Sequence, residues 1–156
     1  MSSDAPGFEL PLRLLAAFRV LIDELHEQLA AQGHPGVRPM HGFVLQAIGP
    51  QGTTAAELGR RLGVSKQAAG KTVDALERQG YVERTDDPSD RRRRLVRRTA
   101  RGTDLLDRSA AIFDTLRSGW AETLGADRLR ALEDDLRRVT PPEPLRADLP
   151  GWLGGP

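Results

Sequence analysis

Cysteine is absent from this chain of 156 residues. Its absence excludes disulfides, thiolate nucleophiles, cysteine redox sensing and cysteine-ligated zinc or iron–sulfur centres. Histidine is scarce: His26, His34 and His41 stand eight and seven residues apart. That spacing fits no metal signature of the HExxH kind, so neither a metal nor another cofactor is expected. Long apolar runs are missing too, none approaching the roughly 18–20 residues that span a bilayer. Met1–Gly7 has no basic stretch leading into an apolar core, so no secretory signal is read and a soluble, cytoplasmic protein is the expectation. No nucleophile–base pair or phosphate-cradling glycine loop stands out. Asp86-Asp87 reads as part of a turn and Asp134-Asp135 as a charged helix face, so an enzyme is not expected.

The composition that remains is globular: 38% hydrophobic, 29% charged and only 4% aromatic. Its length fits one domain or two small intimate lobes. Net charge is +1, but it is unevenly spread. From Thr53 to Arg101 there are 13 basic and 7 acidic residues, and the rest of the chain is acidic. A basic middle between acidic ends marks a local site for a polyanion. The basic residues are nearly all arginine, Lys66 and Lys71 being the two lysines.

Periodicity predicts a long helix from about Leu10 to Ala31, with Pro11 at its first position and a stripe of Leu14, Leu15, Phe18, Leu21, Ile22, Leu25 and Leu29. A helix of that length must bury its stripe on something large, and a second subunit is the natural candidate. A shorter apolar segment follows around Phe43, Val44, Ala47 and Ile48. Thr54-Ala55-Ala56-Glu57 reads as a capping box that opens a short helix to about Leu62. Gly63-Val64 makes a tight turn, Ser65 caps a second helix to about Gln79, and Gly80 ends it. Two helices on such a turn form a helix-turn-helix. Tyr81–Arg84 and Arg93–Arg98 read as strands about the turn Asp86–Asp90, a β-hairpin wing. Two amphipathic helices follow, about Ala100–Leu124 and Ala126–Val139, and the tail 140–156 is rich in proline and glycine.

The order of elements and the residues Gly80-Tyr81-Val82-Glu83-Arg84, Asp87-Pro88-Ser89-Asp90-Arg91-Arg92, Val96, Thr99 and Gly102 resemble the MarR family of winged-helix transcriptional regulators. Leu58–Ser65 is similar to helix-turn-helix sequences in general, and His34–Pro39 with His41-Gly42 resembles an actinobacterial branch of the family. The expected fold is mainly α with a small β-hairpin wing, a winged helix-turn-helix flanked by N- and C-terminal dimerisation helices. The expected division is a dimerisation helix at 10–31, a DNA-binding lobe at 38–102, C-terminal dimerisation helices at 103–139 and the tail at 140–156. Two departures stand out: Arg98 replaces the apolar residue usual before the wing threonine, and Gly70 interrupts the second helix of the motif.

The expected function is a dimeric, sequence-specific DNA-binding regulator, a ligand-responsive repressor. Lys66, Gln67, Gly70, Lys71 and Asp74 form the outward face of a helix that fits the major groove. Gln67 can pair bidentately with adenine, Ser65, Lys71 and Thr72 can hold phosphates, Lys66 reaches either, and Thr54 and Asp90 are further DNA-binding candidates. Arg91, Arg92, Arg93, Arg94, Arg97, Arg98 and Arg101 place seven arginines within 11 residues. By resemblance Arg92 enters the minor groove, its guanidinium held by Asp90. The resemblance also implies a two-fold homodimer on a pseudo-palindromic operator. It further implies a small aromatic or anionic effector, with Phe18, His41, Phe43, Phe113 and Trp120 as candidates to meet it. The rival reading is a winged-helix protein-interaction module without specific DNA binding, favoured by Arg98, Asp74 and Glu77.

Overall fold

A computed structural model describes residues 5–142. The chain runs α1 (Glu9–Ala31), α2 (Pro39–Ile48), α3 (Ala55–Leu62), α4 (Lys66–Arg78), β1 (Val82–Asp87), β2 (Asp90–Arg98), α5 (Ala100–Leu124) and α6 (Ala126–Val139). The expected fold class is the observed one. Of the tail 140–156, residues beyond 142 lie outside the described part.

Local chemistry sets most of these boundaries. The Thr54 hydroxyl accepts the Glu57 amide at 3.2 Å and the Ser65 hydroxyl accepts the Ala68 amide at 3.0 Å, so α3 and α4 each begin on a side-chain cap. Gly63 between them is left-handed at φ 68°. Gly59 lets the two helices close up, because a Cβ there would lie 2.9 Å from the Val64 carbonyl oxygen. The Thr99 hydroxyl accepts the Gly102 amide at 3.1 Å, opening α5. Three details differ from expectation. Pro11 is the third residue of α1 rather than the first. Glu57 completes only half of its capping box, since its carboxylate pairs with Arg60 and Arg61 instead of reaching back. The strands are longer than expected, because the Asp87 carboxylate accepts both the amide and the hydroxyl of Ser89 and tightens the turn to Pro88-Ser89.

β1 and β2 pair antiparallel from Val82 opposite Arg98 to Asp87 opposite Asp90, with a register shift between Asp86 and Asp87. Thr53 joins β2 through an isolated bridge to Val96, with bonds of 3.0 and 2.7 Å. The wing is thereby pinned to the start of the helix-turn-helix. One core runs through the molecule: Leu25 and Leu29 of α1, Val44, Leu45 and Ile48 of α2, Leu58 of α3, Val73 and Leu76 of α4, Tyr81, Val82, Val96 and Leu105. The apolar stripes are only partly used. Ile22, Leu25 and Leu29 are buried, but the first half of α1 leaves Leu10, Leu12, Leu14, Leu15, Phe18 and Val20 exposed. Phe113 and Leu124 of α5 and Leu132 and Val139 of α6 are exposed as well.

Candidate nucleic-acid interface

α3, α4 and the wing surround a cleft of about 500 Å³ lined by Thr54, Ala55, Ala56, Arg60, Lys66, Arg84, Arg92, Arg93, Arg94 and Val96. Six of these ten side chains are cationic. Their convergence follows from the fold: caps at Thr54 and Ser65 bring the starts of α3 and α4 to one end of the lobe, and the Thr53–Val96 bridge lays β2 beside them. Ser65, Lys66, Gln67, Lys71 and Arg91–Arg94 lie at the surface, and the Thr72 hydroxyl donates to the Ala68 carbonyl. The Thr54 hydroxyl is already engaged as the α3 cap.

Two of the expected arginine roles need correction. Asp90 does not hold the Arg92 guanidinium; its carboxylate accepts the Arg92 backbone amide at 3.0 Å. An aspartate reaches the amide two residues on more readily than the end of a long side chain. Arg101 is not part of the basic wing. It sits in the first turn of α5, its guanidinium 4.8 Å from the Tyr81 ring centroid, donating to the Gln79 and Gly33 carbonyls and to the Tyr81 hydroxyl. Arg98 pairs with Val82 in the ladder and is half-buried.

Sequence reasoning misses Arg84. Its guanidinium bonds Glu77 at 2.5 Å and Asp74 at 2.7 Å, tying β1 to α4. Burial opposes the charge on Arg84, but its bonds to the two acids outweigh that and hold its pKa above the ordinary arginine value. The one signal for it is the i, i+3 pair of acids on α4 with an arginine shortly after the helix. The same bonds explain Asp74 and Glu77, two of the residues that favour an interaction module. A buried junction escapes the sequence as well. His34, 2% exposed, lies 3.0 Å from the Tyr81 hydroxyl and 2.7 Å from Asp104, which also accepts from Arg108. It joins the segment after α1 to the start of β1 and to α5.

The five effector candidates do not come together around this cleft. Phe18 and Phe113 are exposed, Phe43 and Trp120 half-buried, and His41 buried. A second, shallower cavity of about 390 Å³ between α1 and α5 is lined by Gln28, Gln32, Asp107, Arg108, Ala111, Ile112 and Thr115, again without them. His41 instead holds the start of α2, where its Nδ1 accepts the Arg38 amide at 3.2 Å. Burial first, then the charge of Arg38 and the nearby His26, hold its pKa below the ordinary histidine value. Among the described residues, no cluster of three His, Asp or Glu could hold a metal ion, and no helix is long and apolar enough to cross a membrane.

Two capped helices on a glycine turn, followed by an arginine-bearing hairpin on the same cleft, define a winged helix-turn-helix protein. Residues 36–93 match the model of the MarR family. The helix-turn-helix-type transcriptional regulator YcgE of Bacillus subtilis is 45% identical over 53 residues, covering 34% of this chain and 33% of that protein. The match thus spans about a third of the curated relative. The crystal structure of MarR from Escherichia coli superposes with a TM-score of 0.64 at 26% identity, over 88% of this chain and 98% of that one. Streptococcus pneumoniae FabT, solved in complex with DNA, superposes with a TM-score of 0.72 at 16% identity, over 86% of this chain and 94% of that one, a likeness of fold. Residues 36–93 are thus similar to the MarR family of transcriptional regulators, and the described fold is that of a solved MarR protein. The matching proteins come from several bacterial lineages and single out no actinobacterial branch.

Proposed function

We propose that this protein is a cytoplasmic, homodimeric, sequence-specific binder of double-stranded DNA that acts as a ligand-responsive repressor. The observation that carries the reading is the cleft between α3, α4 and the wing, where Arg60, Lys66, Arg92, Arg93 and Arg94 converge beside the exposed start of α4. A polyanion is the natural partner of such a concave cationic surface. In this reading Lys66 and Gln67 meet base edges in the major groove, while Thr54, Ser65, Lys71 and Thr72 position the backbone. Arg91–Arg94 and Asp90 form the tip of the wing, with Arg92 in the minor groove.

Residues 10–31 and 103–139 serve as dimerisation helices around the DNA-binding lobe 38–102. The exposed apolar faces of α1, α5 and α6 support this division. A two-fold pair would set its recognition helices about one DNA turn, roughly 34–36 Å, apart on a pseudo-palindrome. A small aromatic or anionic effector would change that spacing and with it the affinity. Selection of bound duplexes from a random pool tests the reading. Recovery of a symmetric site, bound more weakly as salt rises and released by members of an aromatic carboxylate panel, is the expected result. A pool from which no sequence is enriched overturns it.

A further inference from the structure

Resting on the DNA-binding reading, we propose that Arg84 is an electrostatic mask, a positioning residue that engages both carboxylates of the recognition helix and halves their net charge so that α4 can approach a phosphate backbone. α4 carries Lys66, Lys71 and Arg78 against Asp74 and Glu77. Both acids are substantially exposed, at 52% and 41%, and both are near the cationic cleft through their shared partner. Left alone, they would face the polyanion with two full negative charges. Arg84 is itself only 23% exposed and bonds both at once, one guanidinium nitrogen to each. Its place in β1, opposite Val96 in the ladder, fixes the stem from which it reaches. One fork thus spans two acids three residues apart with a separate nitrogen for each, where a lysine would offer both a single atom.

The mask differs from a direct phosphate contact in what it predicts. A contact acts through Arg84 itself, whereas a mask matters only while the acids are charged. The test compares wild type, Arg84→Gln, Asp74→Asn/Glu77→Gln and the triple variant on the selected duplex across a salt series. Arg84→Gln should lose about tenfold in affinity at low salt, because the net charge of the cluster near several phosphates goes from −1 to −2. The triple variant should bind within about twofold of Asp74→Asn/Glu77→Gln, the signature of complete coupling in a mutant cycle. That last comparison stands even if Arg84→Gln alone folds poorly. The slope of log affinity against log salt should be unchanged by removing Arg84, whereas loss of a phosphate contact lowers it by about 0.9 per protomer. A triple variant far weaker than the double, or a reduced slope, overturns the mask and leaves the DNA reading standing. A wild-type protein that selects no duplex overturns both.

Discussion

His41 shows how one side chain can mislead in the sequence and then be explained by its neighbours. An imidazole at the start of an apolar helix suits an effector, yet this one is buried and accepts the Arg38 amide, which only the neutral ring can do. Its pKa is lowered by burial, then by Arg38 and His26, so the folded state resists its protonation. The stability this neutral ring provides is complete above the ordinary histidine pKa of about 6.5 and is lost as pH falls through that value towards the lower folded one. His41→Gln keeps an acceptor at the same helix position without titrating. Melting temperature followed from neutral to mildly acidic pH should fall less for His41→Gln than for wild type; parallel curves would assign the acid loss elsewhere. Two glycines make opposite cases. A Cβ on Gly102 would lie 2.1 Å from the Tyr81 carbonyl oxygen, so Gly102→Ala should cost about 1–3 kcal/mol in denaturant unfolding through forced backbone displacement. A Cβ on Gly70 meets nothing within 4 Å. Gly70→Ala should therefore stabilise the free protein by up to about 1 kcal/mol, since alanine is the better helix former. If α4 packs closely into a groove, the same substitution should weaken duplex binding, so stability and affinity move apart.

Among elements, what is legible in the sequence depends on whether their chemistry is local. α4, α5 and α6 fall where Ser65, Thr99, Gly80 and Gly125 put them, because a cap or a left-handed glycine acts within one turn of chain. Sequence pattern alone makes the wing too short, because a strand's length depends on its partner and a turn of two residues leaves little signal. The Thr53–Val96 bridge is a single pairing across more than 40 residues and carries no pattern of its own. The arginine run announces a basic surface but not which of its members find partners within the protein: Arg91–Arg94 are exposed, while Arg101 is spent on Tyr81 and two carbonyls. Arg92 has an exposed side chain with only its backbone amide bonded to Asp90. Arg92→Ala should consequently leave the melting temperature unchanged, weaken duplex binding and reduce the salt slope by about 0.9 per protomer. Unchanged affinity would remove the wing from the interface. Gln67→Ala on α4 should instead relax base preference at one position of each half-site, costing roughly 1–3 kcal/mol of discrimination there. A loss spread evenly over all sequences would make Gln67 a backbone contact.

At the scale of the whole molecule, the apolar surface is divided unevenly. The winged lobe buries its own core completely, with Leu45, Ile48, Leu58, Val73 and Leu76 at 0% exposure. The first half of α1 and its N-cap do the reverse, exposing Phe8 and Leu10 at 66% and Phe18 at 41%. Such faces along one helix mark an unfinished association surface rather than scattered exposed residues. A second copy of the chain completes it most simply, since two-fold symmetry brings like surfaces together. Leu15→Glu with Phe18→Glu places two charges on this face at positions that make no part of the buried core. The double variant should keep its helix content and sediment as a monomer, and the wild type as the proposed dimer. Its affinity for a full palindrome should fall by roughly 10²–10⁴, the advantage that linking two half-site readers confers, while its affinity for an isolated half-site stays the same. If the double variant remains dimeric, the α1 face is not what pairs the subunits, and if it is monomeric but binds the palindrome undiminished, pairing is not what sets the two recognition helices on DNA.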